Sequence, residues 1–395
     1  MPIEPLFALR GAVQHYGWGG YDFLPTLLNI DNSARRPFAE LWIGSHPKAP
    51  ATALLAEGER PLNELLAEPL PYLLKVLDAR QMLSIQAHPD KAQAEAGFAR
   101  ENAAGIPLSA PERNYKDANH KPEVHVAITE FWMLHGFRTL HDIAAQFLLH
   151  PELAALGAPT DLRELYTTAM TLPQAQVDAI LNPLLARLEW EHPPKDSPAY
   201  WALRAARHFP RPDGSRDRGI FSCFLLNLVR LQPGEGTYQP AGVLHAYLEG
   251  VNVELMANSD NVLRGGLTPK HVDVPELLRT LSFEGGTPGI LAGEDVSATE
   301  SVYRTPAEEF ELSRIAVGPG TPHTAMSQGP EAFITLAGQA TLLSGAHTVA
   351  LARGSIAFVQ PAHAYRIEAA GAAALLYKAA LPVRPSSAPP APARP

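Results

Sequence analysis

The segment SIQAHPDK, residues 84–91, carries the clearest structural signal in the chain. From Leu83 onward, its residues alternate between apolar and polar side chains. Because successive side chains of a β-strand point to opposite faces, this pattern predicts a strand over residues 82–88 with Gln86 and His88 on its polar face. An apolar face opposite a row of possible ligands is typical of a barrel wall that borders a polar cavity.

Two further segments supply ligands that a metal centre would still lack. In HKPE, residues 120–123, Glu123 opens an alternating apolar run, and in PAGVLH, residues 240–245, an imidazole follows a Pro-Gly turn that leads into another predicted strand. Two histidine nitrogens, together with oxygens from an amide and a carboxylate, suit a divalent ion of borderline softness. Zinc is the first candidate. The candidate metal ligands are therefore Gln86, His88, Glu123 and His245.

His125 follows Glu123 on the same face of its predicted strand, which makes it a possible fifth ligand. A histidine on a strand of mixed polarity is more often packed or hydrogen-bonded than bound to a metal. We therefore favour a packed position for His125.

Composition limits the classes of function. The chain has 395 residues, which is enough for two or three domains. A net charge of −9 argues against a general nucleic-acid surface, although an anionic small molecule needs only a local cluster of cations. The single cysteine, Cys223, excludes an intrachain disulfide and a cysteine-based zinc site. With no signal-like region and no apolar run of membrane-spanning length, we expect a cytoplasmic protein without membrane contact.

The chain changes character over residues 139–219, where apolar residues recur at helical spacing between several prolines. This pattern predicts a helical insert between β-rich regions, with a kink or break at Pro183. A second β-rich unit follows over residues 300–381, and the Pro/Ala/Ser/Arg tail over residues 382–395 is typical of disorder. The sequence thus predicts a mainly β protein with a helical insert.

The second β-rich unit contains a degenerate repeat of the first. Residues 354–365 and residues 236–247 share the same order of features: a glycine, a short run, Pro-Ala or its equivalent turn, a histidine and Ala-Tyr. No Gln-x-His pair with a glutamate precedes His363, so we expect no metal in this second barrel.

Cations cluster near the ligand segments. A solvated charged surface is the usual position of lysine, and Lys91 and Lys116 fit that interpretation. Arg264 is different, because it stands beside a glycine pair that allows close approach of a ligand.

Taken together, these segments resemble the type I mannose-6-phosphate isomerases (phosphomannose isomerases), a zinc-dependent family of the cupin superfamily. The resemblance runs from the N-terminus to about residue 285, with a weaker cupin-like tail. It rests on SIQAHPDK, NYKDANHKPE (residues 114–123), PAGVLHAYLEG (residues 240–250) and ELMANSDNVLRGGLTPKHVDV (residues 254–274), with AELWIGSHP (residues 39–47) and YGWG (residues 16–19) in support.

The resemblance implies a fold and a zinc site. It implies a catalytic cupin (jelly-roll) barrel over residues 1–138 and 220–290, an α-helical domain over residues 139–219, and a C-terminal cupin-like barrel over residues 291–381. It also implies one Zn²⁺ per chain on the four candidate ligands. One departure is His125, where the family pattern leads us to expect a small residue; it could crowd the pocket or alter the preference for metal.

The resemblance further implies that the pocket interconverts mannose 6-phosphate and fructose 6-phosphate. This reaction moves a proton between C1 and C2, so it needs a base and a cation for the developing negative oxygen. We expect Arg264 to supply the charge and either Lys121 or Glu254 to carry the proton; the sequence leaves that choice open. Lys270, and less directly Ser84 and Lys91, are expected to hold the phosphate, while Trp18 is either a pocket wall or a packed aromatic.

Two other interpretations remain open at this stage. An iron-dependent cupin dioxygenase would prefer open coordination for O₂ and more histidine ligands than the sequence offers. A sugar-binding or storage bicupin without catalysis would not need a polar loop such as residues 260–270. For the isomerase, we expect a small sugar phosphate as the partner and a monomeric chain.

Overall fold

The computed structural model describes residues 4–382. Its strands are β1 (Leu6–Arg10), β2 (Ala12–Gln14), β3 (Glu40–Ile43), β4 (Thr52–Leu55), β5 (Gly58–Pro61), β6 (Tyr72–Ala79), β7 (Gln86–Ala87), β8 (Glu123–Ala127), β9 (Phe131–Phe137), β10 (Leu226–Leu231), β11 (Gly236–Gln239), β12 (His245–Ala257), β13 (Leu263–Arg264), β14 (Glu294–Asp295), β15 (Glu300–Tyr303), β16 (Glu311–Val317), β17 (His323–Met326), β18 (Glu331–Ala337), β19 (Ala340–Ser344), β20 (His347–Leu351), β21 (Ile356–Val359), β22 (Ala364–Ala369) and β23 (Ala374–Ala380). Its α-helices are α1 (Phe23–Leu27), α2 (Lys91–Ala103), α3 (Leu140–Leu149), α4 (Leu162–Thr171), α5 (Gln174–Glu191), α6 (Pro198–His208), α7 (Ser222–Leu225) and α8 (Val274–Thr280). Short 3₁₀ helices cover Leu62–Glu64, Pro151–Leu156 and Arg218–Phe221.

The described residues form a mixed, strand-rich fold with antiparallel sheets and a helical segment. They divide into two compact units. The larger unit comprises residues 11–42 and 73–293, and the smaller unit comprises residues 4–10, 43–72 and 294–382. The division into three domains inferred from the sequence stays a prediction. The predicted disordered tail lies outside the described residues, except for Pro382.

One long strand, β12, organises the sheet of the larger unit. It pairs antiparallel with β7, β8 and β9, so it joins segments that are far apart in the chain. In this register His245 lies opposite Gln86, and Met256 lies opposite Glu123. Strand β13 then continues outward from β7, with Arg264 opposite Gln86. Pairing with β12 therefore gathers the segments that the sequence analysis singled out.

β12 is not a regular strand. Its pairing with β9 is irregular between Tyr247 and Glu249, and Gly250 has a φ of +123°. A Cβ at Gly250 would lie 2.5 Å from the Glu130 carbonyl oxygen, so both the conformation and the close approach require glycine. The irregularity is a β-bulge in effect, because it lets Tyr247 and Glu254, which stand an odd number of positions apart, hydrogen-bond on one face.

The segment over residues 82–88 is less regular than the sequence predicted. Only Gln86 and Ala87 form a strand, whereas Leu83 and Ile85 donate their backbone N–H groups to Tyr247 and Gly266, outside the regular ladder. The predicted strand was therefore too long. The alternation itself is present, because Ile85 and Ala87 are fully buried in the core while Gln86 is half-buried. Helix α2 begins directly afterwards, capped by reciprocal hydrogen bonds between Asp90 and Gln93.

The segment between β9 and β10 is helical, as the periodicity predicted. Helices α3 to α6 lie there, and their apolar faces share one core with Ile85 and Ala87 beside the ligand strand. The expected break at Pro183 does not occur: this proline lies inside α5, which continues from Gln174 to Glu191. None of the helices in residues 4–382 is both long enough and apolar enough for a membrane span.

The smaller unit contains two antiparallel sheets. One has the order β14-β15-β16-β23-β18-β21-β1-β4-β5, and the other has the order β17-β22-β19-β20. The apolar core of this unit lies between inward-facing residues of both sheets, among them Phe333, Leu342 and Ile367. Strands from both ends of the chain therefore build this unit, since β1 pairs with β21.

A single carboxylate fixes the loop that follows β13. Asp217 Oδ1 accepts hydrogen bonds from the backbone N–H groups of Gly219 and Leu267, at 2.7 and 3.0 Å. A Cβ at Gly219 would lie 2.7 Å from the Leu267 nitrogen, so only glycine permits this approach. The helical segment thereby holds the end of the Arg264 loop in place.

We predict that Asp217→Ala destabilises the protein by about 1–3 kcal/mol, because two buried backbone donors lose their acceptor. Asp217→Asn retains an acceptor oxygen and should lose less. Denaturant unfolding of the three proteins measures the difference. Equal stability of Asp217→Ala and the parent protein would contradict the role assigned to this side chain.

Candidate metal centre and substrate cavity

Three buried side chains converge in the larger unit. The Nε2 atom of His88 lies 3.4 Å from Glu123 Oε1, and the Nε2 atom of His245 lies 3.3 Å from Glu123 Oε2. Their ligand atoms all lie within 4.8 Å of one another. Among residues 4–382, this is the only group of three or more histidine, cysteine or acidic side chains with the spacing of a metal site.

The backbone prepares both histidines for a metal. His88 Nδ1 lies 2.7 Å from the Asn261 carbonyl oxygen, and His245 Nδ1 lies 3.0 Å from the Val243 carbonyl oxygen. A carbonyl oxygen only accepts hydrogen bonds, so each Nδ1 carries the proton and each Nε2 keeps a lone pair. Both Nε2 atoms are buried and have no hydrogen-bond partner in the described part of the chain. The residues therefore fit a divalent ion.

The charges of the cluster also suit a metal. Burial, aided by the charge of Lys121, lowers the pKa of His88 to about 4, which favours the neutral imidazole. Burial alone would raise the pKa of Glu123, but Lys121 and the two histidines hold it well below its usual value. A neutral imidazole and an ionised carboxylate are the forms that bind metal ions.

Gln86 and His125 occupy different positions relative to this cluster. Gln86 lies opposite His245 in the strand register and lines the cavity beside Glu123. His125 is fully buried and lies outside the cluster of candidate ligands. Its Nδ1 accepts a hydrogen bond of 2.8 Å from Gln239, and its ring packs against Tyr247. His125 thus takes the packed position rather than that of a fifth ligand.

A cavity of about 470 Å³ opens above the cluster, a size typical of small-molecule sites. The structure brings most of the residues predicted from the sequence to its wall. These are Trp18, Ser84, Gln86, Lys121, Glu123, Glu254, Arg264 and Lys270. The candidate ligands His88 and His245 are buried in the same unit.

Lys91 is the exception. It is not part of the cavity wall, and its ammonium group donates to the Ala118 carbonyl oxygen and the Asn119 side chain, both at 2.9 Å. Lys91 therefore ties the start of α2 to the loop before Glu123. The expectation that it holds a phosphate is not supported by its position.

Two cations on the wall face the cavity without an acidic partner. Neither Arg264 nor Lys270 forms an ion pair with any acidic group among the described residues. Burial lowers the pKa of Arg264, and partial burial followed by repulsion from Arg264 lowers that of Lys270. Because both groups remain cationic at neutral pH, they create a local positive charge suited to an anionic ligand.

The two proposed proton carriers are held by ion pairs. Lys121 Nζ lies 2.9 Å from Glu123 Oε1. Glu254 accepts a hydrogen bond of 2.8 Å from Lys75 and one of 2.7 Å from the Tyr247 hydroxyl. All of these side chains are buried, so their positions are fixed by the fold.

The residues of this wall that the sequence analysis missed include three polar side chains in the unit that contains the metal cluster: Glu40, Lys75 and Tyr247. Lys75 is a buried charge in the otherwise apolar start of β6, and it interacts mainly with Glu254 and Glu40. Burial lowers the pKa of Lys75, but these carboxylates outweigh it and the net pKa is raised. Two of these residues could have been identified from the sequence. Lys75 is a lysine inside an apolar strand pattern, and Tyr247 stands two residues after His245.

At the mouth of the cavity, Trp18 stacks on Tyr16 with 5.7 Å between ring centroids. Trp18 also packs against the apolar cluster that contains Leu77 and Phe131. It is therefore both a packed aromatic and part of the cavity wall.

Comparison with known proteins agrees with this site. The family model "Phosphomannose isomerase type I, catalytic domain" matches residues 6–140. The mannose-6-phosphate isomerase of Escherichia coli (strain K12) is 37% identical over 376 residues, which cover 89% of this chain and 94% of that protein. The human mannose-6-phosphate isomerase is 31% identical, over 91% of this chain and 94% of its own.

Solved structures show the same relationship. A crystal structure of the Salmonella typhimurium mannose 6-phosphate isomerase, bound to its substrate fructose 6-phosphate and to zinc, superimposes with a TM-score of 0.86 at 33% identity. The match covers 96% of this chain and 100% of that one. A zinc-bound mannose 6-phosphate isomerase gives a TM-score of 0.85. The chain belongs to the type I phosphomannose isomerase family.

We predict that His245→Ala lowers the zinc content of the purified protein to well below one equivalent, because one of the candidate ligands is lost. His141→Ala is the matched control, since His141 is an exposed residue of α3, and it should retain zinc. Elemental analysis after dialysis measures both proteins. Full zinc occupancy in His245→Ala would exclude His245 as a ligand.

Proposed function

We propose that this protein interconverts D-mannose 6-phosphate and D-fructose 6-phosphate by transferring a proton between C1 and C2 of the sugar. One observation carries the proposal: the unpaired Arg264 and Lys270 share a cavity with a buried His/Glu/His cluster. The cations fit a phosphate or an enediolate, and the cluster fits a divalent ion. In the Salmonella relative, fructose 6-phosphate and zinc are bound together.

The zinc ion belongs on His88, Glu123, His245 and Gln86. When bound, it supplies Lewis-acid polarisation of a sugar oxygen. The strand register that places Gln86 opposite His245 supports the amide as the fourth ligand. Lys121, at 2.9 Å from Glu123, keeps that carboxylate ionised for coordination.

We assign the phosphate to Lys270 and Ser84. Lys270 is exposed at the mouth of the cavity and carries a charge with no acidic partner in the described chain. Ser84 lines the same cavity and offers a hydroxyl donor. Anchoring the sugar at its phosphate would place C1 and C2 deeper in the cavity, towards the metal ligands. This orientation of the substrate would increase the rate of proton transfer.

In this assignment, Arg264 lies between the residues that bind the phosphate and the residues that bind the metal. Its backbone is opposite Gln86, and its guanidinium group is partly desolvated. A cation held in a partly dry cavity stabilises negative charge more strongly than the same cation in water. Arg264 therefore stabilises the enediolate oxygen as the proton leaves carbon.

For the proton transfer itself, the contacts favour Glu254 as the base. Lys75 and Tyr247 each donate to its carboxylate, which holds it in the cavity wall. A carboxylate can accept the proton from one carbon and return it to the next. Lys121, as an ammonium beside Glu123, is suited to donating to a sugar oxygen.

Several finer expectations remain proposals. We infer that the strands of the larger unit around β12 form a catalytic cupin (jelly-roll) barrel, and that the smaller unit contains a second one. Antiparallel pairing of the strands in both units supports this architecture. The three-domain boundaries, a cytoplasmic location and a monomeric state stay predictions from the sequence.

We predict that the purified protein produces fructose 6-phosphate from mannose 6-phosphate, that a chelator abolishes this activity, and that added zinc restores it. A coupled assay for fructose 6-phosphate measures all three. We expect this result because the isomerisation requires a metal ion on the His/Glu/His cluster, and the chelator removes that ion. Absence of turnover in the zinc-loaded protein would refute the isomerase and favour a binding protein, whereas iron content with O₂ uptake would favour a dioxygenase.

We predict that Arg264→Ala lowers kcat by about 10²–10³-fold while zinc remains bound, because the cation for the enediolate is lost but no ligand is changed. Arg211→Ala, at an exposed arginine of the same unit, is the matched control and should keep near-parent kcat. Steady-state kinetics and zinc content are measured on the same samples. An unchanged kcat in Arg264→Ala would remove this residue from the mechanism.

A further inference from the structure

The smaller unit contains its own cluster of buried ionisable groups. A cavity of about 350 Å³ is lined by Glu300, Glu331 and Lys378, which come from three different strands, β15, β18 and β23. Glu331 and Lys378 are 5% and 7% exposed, which is rare for charged residues in a core. The metal-binding and catalytic residues described above all belong to the larger unit, so this cavity is unexplained by them.

Most charges around this cavity are already paired. Lys378 Nζ lies 2.7 Å from Glu300 Oε1, and Arg304 at the rim lies 2.5 Å from Glu311. These two pairs leave Glu331 as the lining carboxyl without a close cationic partner. The cavity therefore carries no excess of positive charge.

Glu331 has unused hydrogen-bonding capacity. Its buried Oε2 atom has no hydrogen bond of normal geometry in the described chain, although the Tyr365 hydroxyl lies beside it. Burial raises the pKa of Glu331 in spite of the nearby charge of Lys378. The raised pKa favours the neutral carboxyl group. A neutral carboxyl group both donates and accepts hydrogen bonds.

A histidine behind Glu300 adds a second unused atom. His323 is 3% exposed, and its Nδ1 lies 3.0 Å from the Thr299 hydroxyl. Its Nε2 has no hydrogen-bond partner within the described residues and lies 3.9 Å from Glu300 Oε2. Buried polar atoms are costly when they stay unpaired. Glu331 carries such an atom on the cavity wall, and His323 carries another behind the wall residue Glu300, which indicates a polar ligand.

The rest of the wall combines apolar side chains with the Arg304–Glu311 pair and Gln328. Val302, Ala325, Met326 and Leu381 contribute to it, and Met326 is 53% exposed. A wall that combines apolar side chains with a few convergent polar groups is typical of small-molecule sites. Carbohydrates and polyols match such a wall, because they present C–H surfaces together with hydroxyl groups.

Other ligand classes fit less well. The carboxylates and His323 do not come together with the spacing of a metal site, since the only such group among residues 4–382 is His88, Glu123 and His245. A phosphate ester would require an unpaired cation, whereas Lys378 is already bound to Glu300.

We propose that the cavity between Glu300, Glu331 and Lys378 is a second ligand site, which binds a neutral polyhydroxylated small molecule. Hydroxyl groups of the ligand donate to and accept from Glu331 and accept from Lys378. The unit repeats the residue types of a group in the catalytic unit. There, Lys75 and Tyr247 both donate to Glu254, whereas here Tyr365 lies beside Glu331 and Lys378 pairs with Glu300. The site thus retains the polar groups suited to a sugar in a unit where the zinc ligand set is not repeated.

The experiment uses the zinc-loaded full chain with the active-site cavity saturated by fructose 6-phosphate. Binding of myo-inositol, a neutral polyol, is followed by saturation-transfer NMR and titration calorimetry at concentrations up to ~100 mM, since weak polyol sites have millimolar dissociation constants or weaker. We expect saturable binding that is at least about tenfold weaker in Glu331→Leu, because a buried hydrogen-bonding partner is lost. Glu57→Leu, at an exposed glutamate of the same unit, is the matched control and should bind like the parent.

A second variant tests the cavity without altering its buried groups. Met326→Trp enlarges an exposed side chain at the mouth and should weaken binding as strongly as Glu331→Leu, with isomerase activity unchanged in both. Absence of saturable binding to the parent, or equal binding to Glu331→Leu and Glu57→Leu, overturns the proposal. Tighter binding of ethanolamine or of inorganic phosphate than of myo-inositol also overturns it, because the ligand would then be charged.

Discussion

The active site depends on one buried negative charge. Glu123 is almost fully buried, and it lies within 3.4 Å of both ligand histidines and 2.9 Å of Lys121. An isolated carboxylate in such a position would be expensive, so its neighbours must compensate for the lost hydration. Lys121 provides that compensation from outside the cluster, and a bound cation would provide it from inside. The metal centre and the buried carboxylate are therefore mutually dependent.

The surrounding backbone turns this charge into a specific site. Carbonyl oxygens of Asn261 and Val243 fix the tautomers of the two histidines, and pairing with β12 brings the ligand segments together. Glu254 is held in a similar way, because it accepts hydrogen bonds from one residue of β6 and one of β12. Because His88, His245 and Glu254 are each fixed by buried hydrogen bonds, this part of the cavity is preorganised.

The sequence predicted the ligand set and most of the cavity wall, because those residues stand in short motifs at strand starts or in one polar loop. It did not predict Lys75, whose role depends on pairing with Glu254 across 179 positions of sequence. It also misplaced Lys91, because proximity to His88 in the chain does not indicate which way a helix-starting lysine points. Of the kink or break expected at Pro183, the break does not occur, because packing of α5 into the shared core keeps the helix continuous through the proline.

The irregularity of β12 restricts how this family member can change. Tyr247 and Glu254 meet only because the strand is offset between residues 247 and 249 and turns through Gly250. In a regular strand of the same length, two residues seven positions apart would point to opposite faces of the sheet, so Glu254 would lose its hydrogen bond from Tyr247. A change of length between Tyr247 and Glu254 therefore keeps the two side chains on one face only if the offset changes with it, which couples the length of this segment to its irregularity.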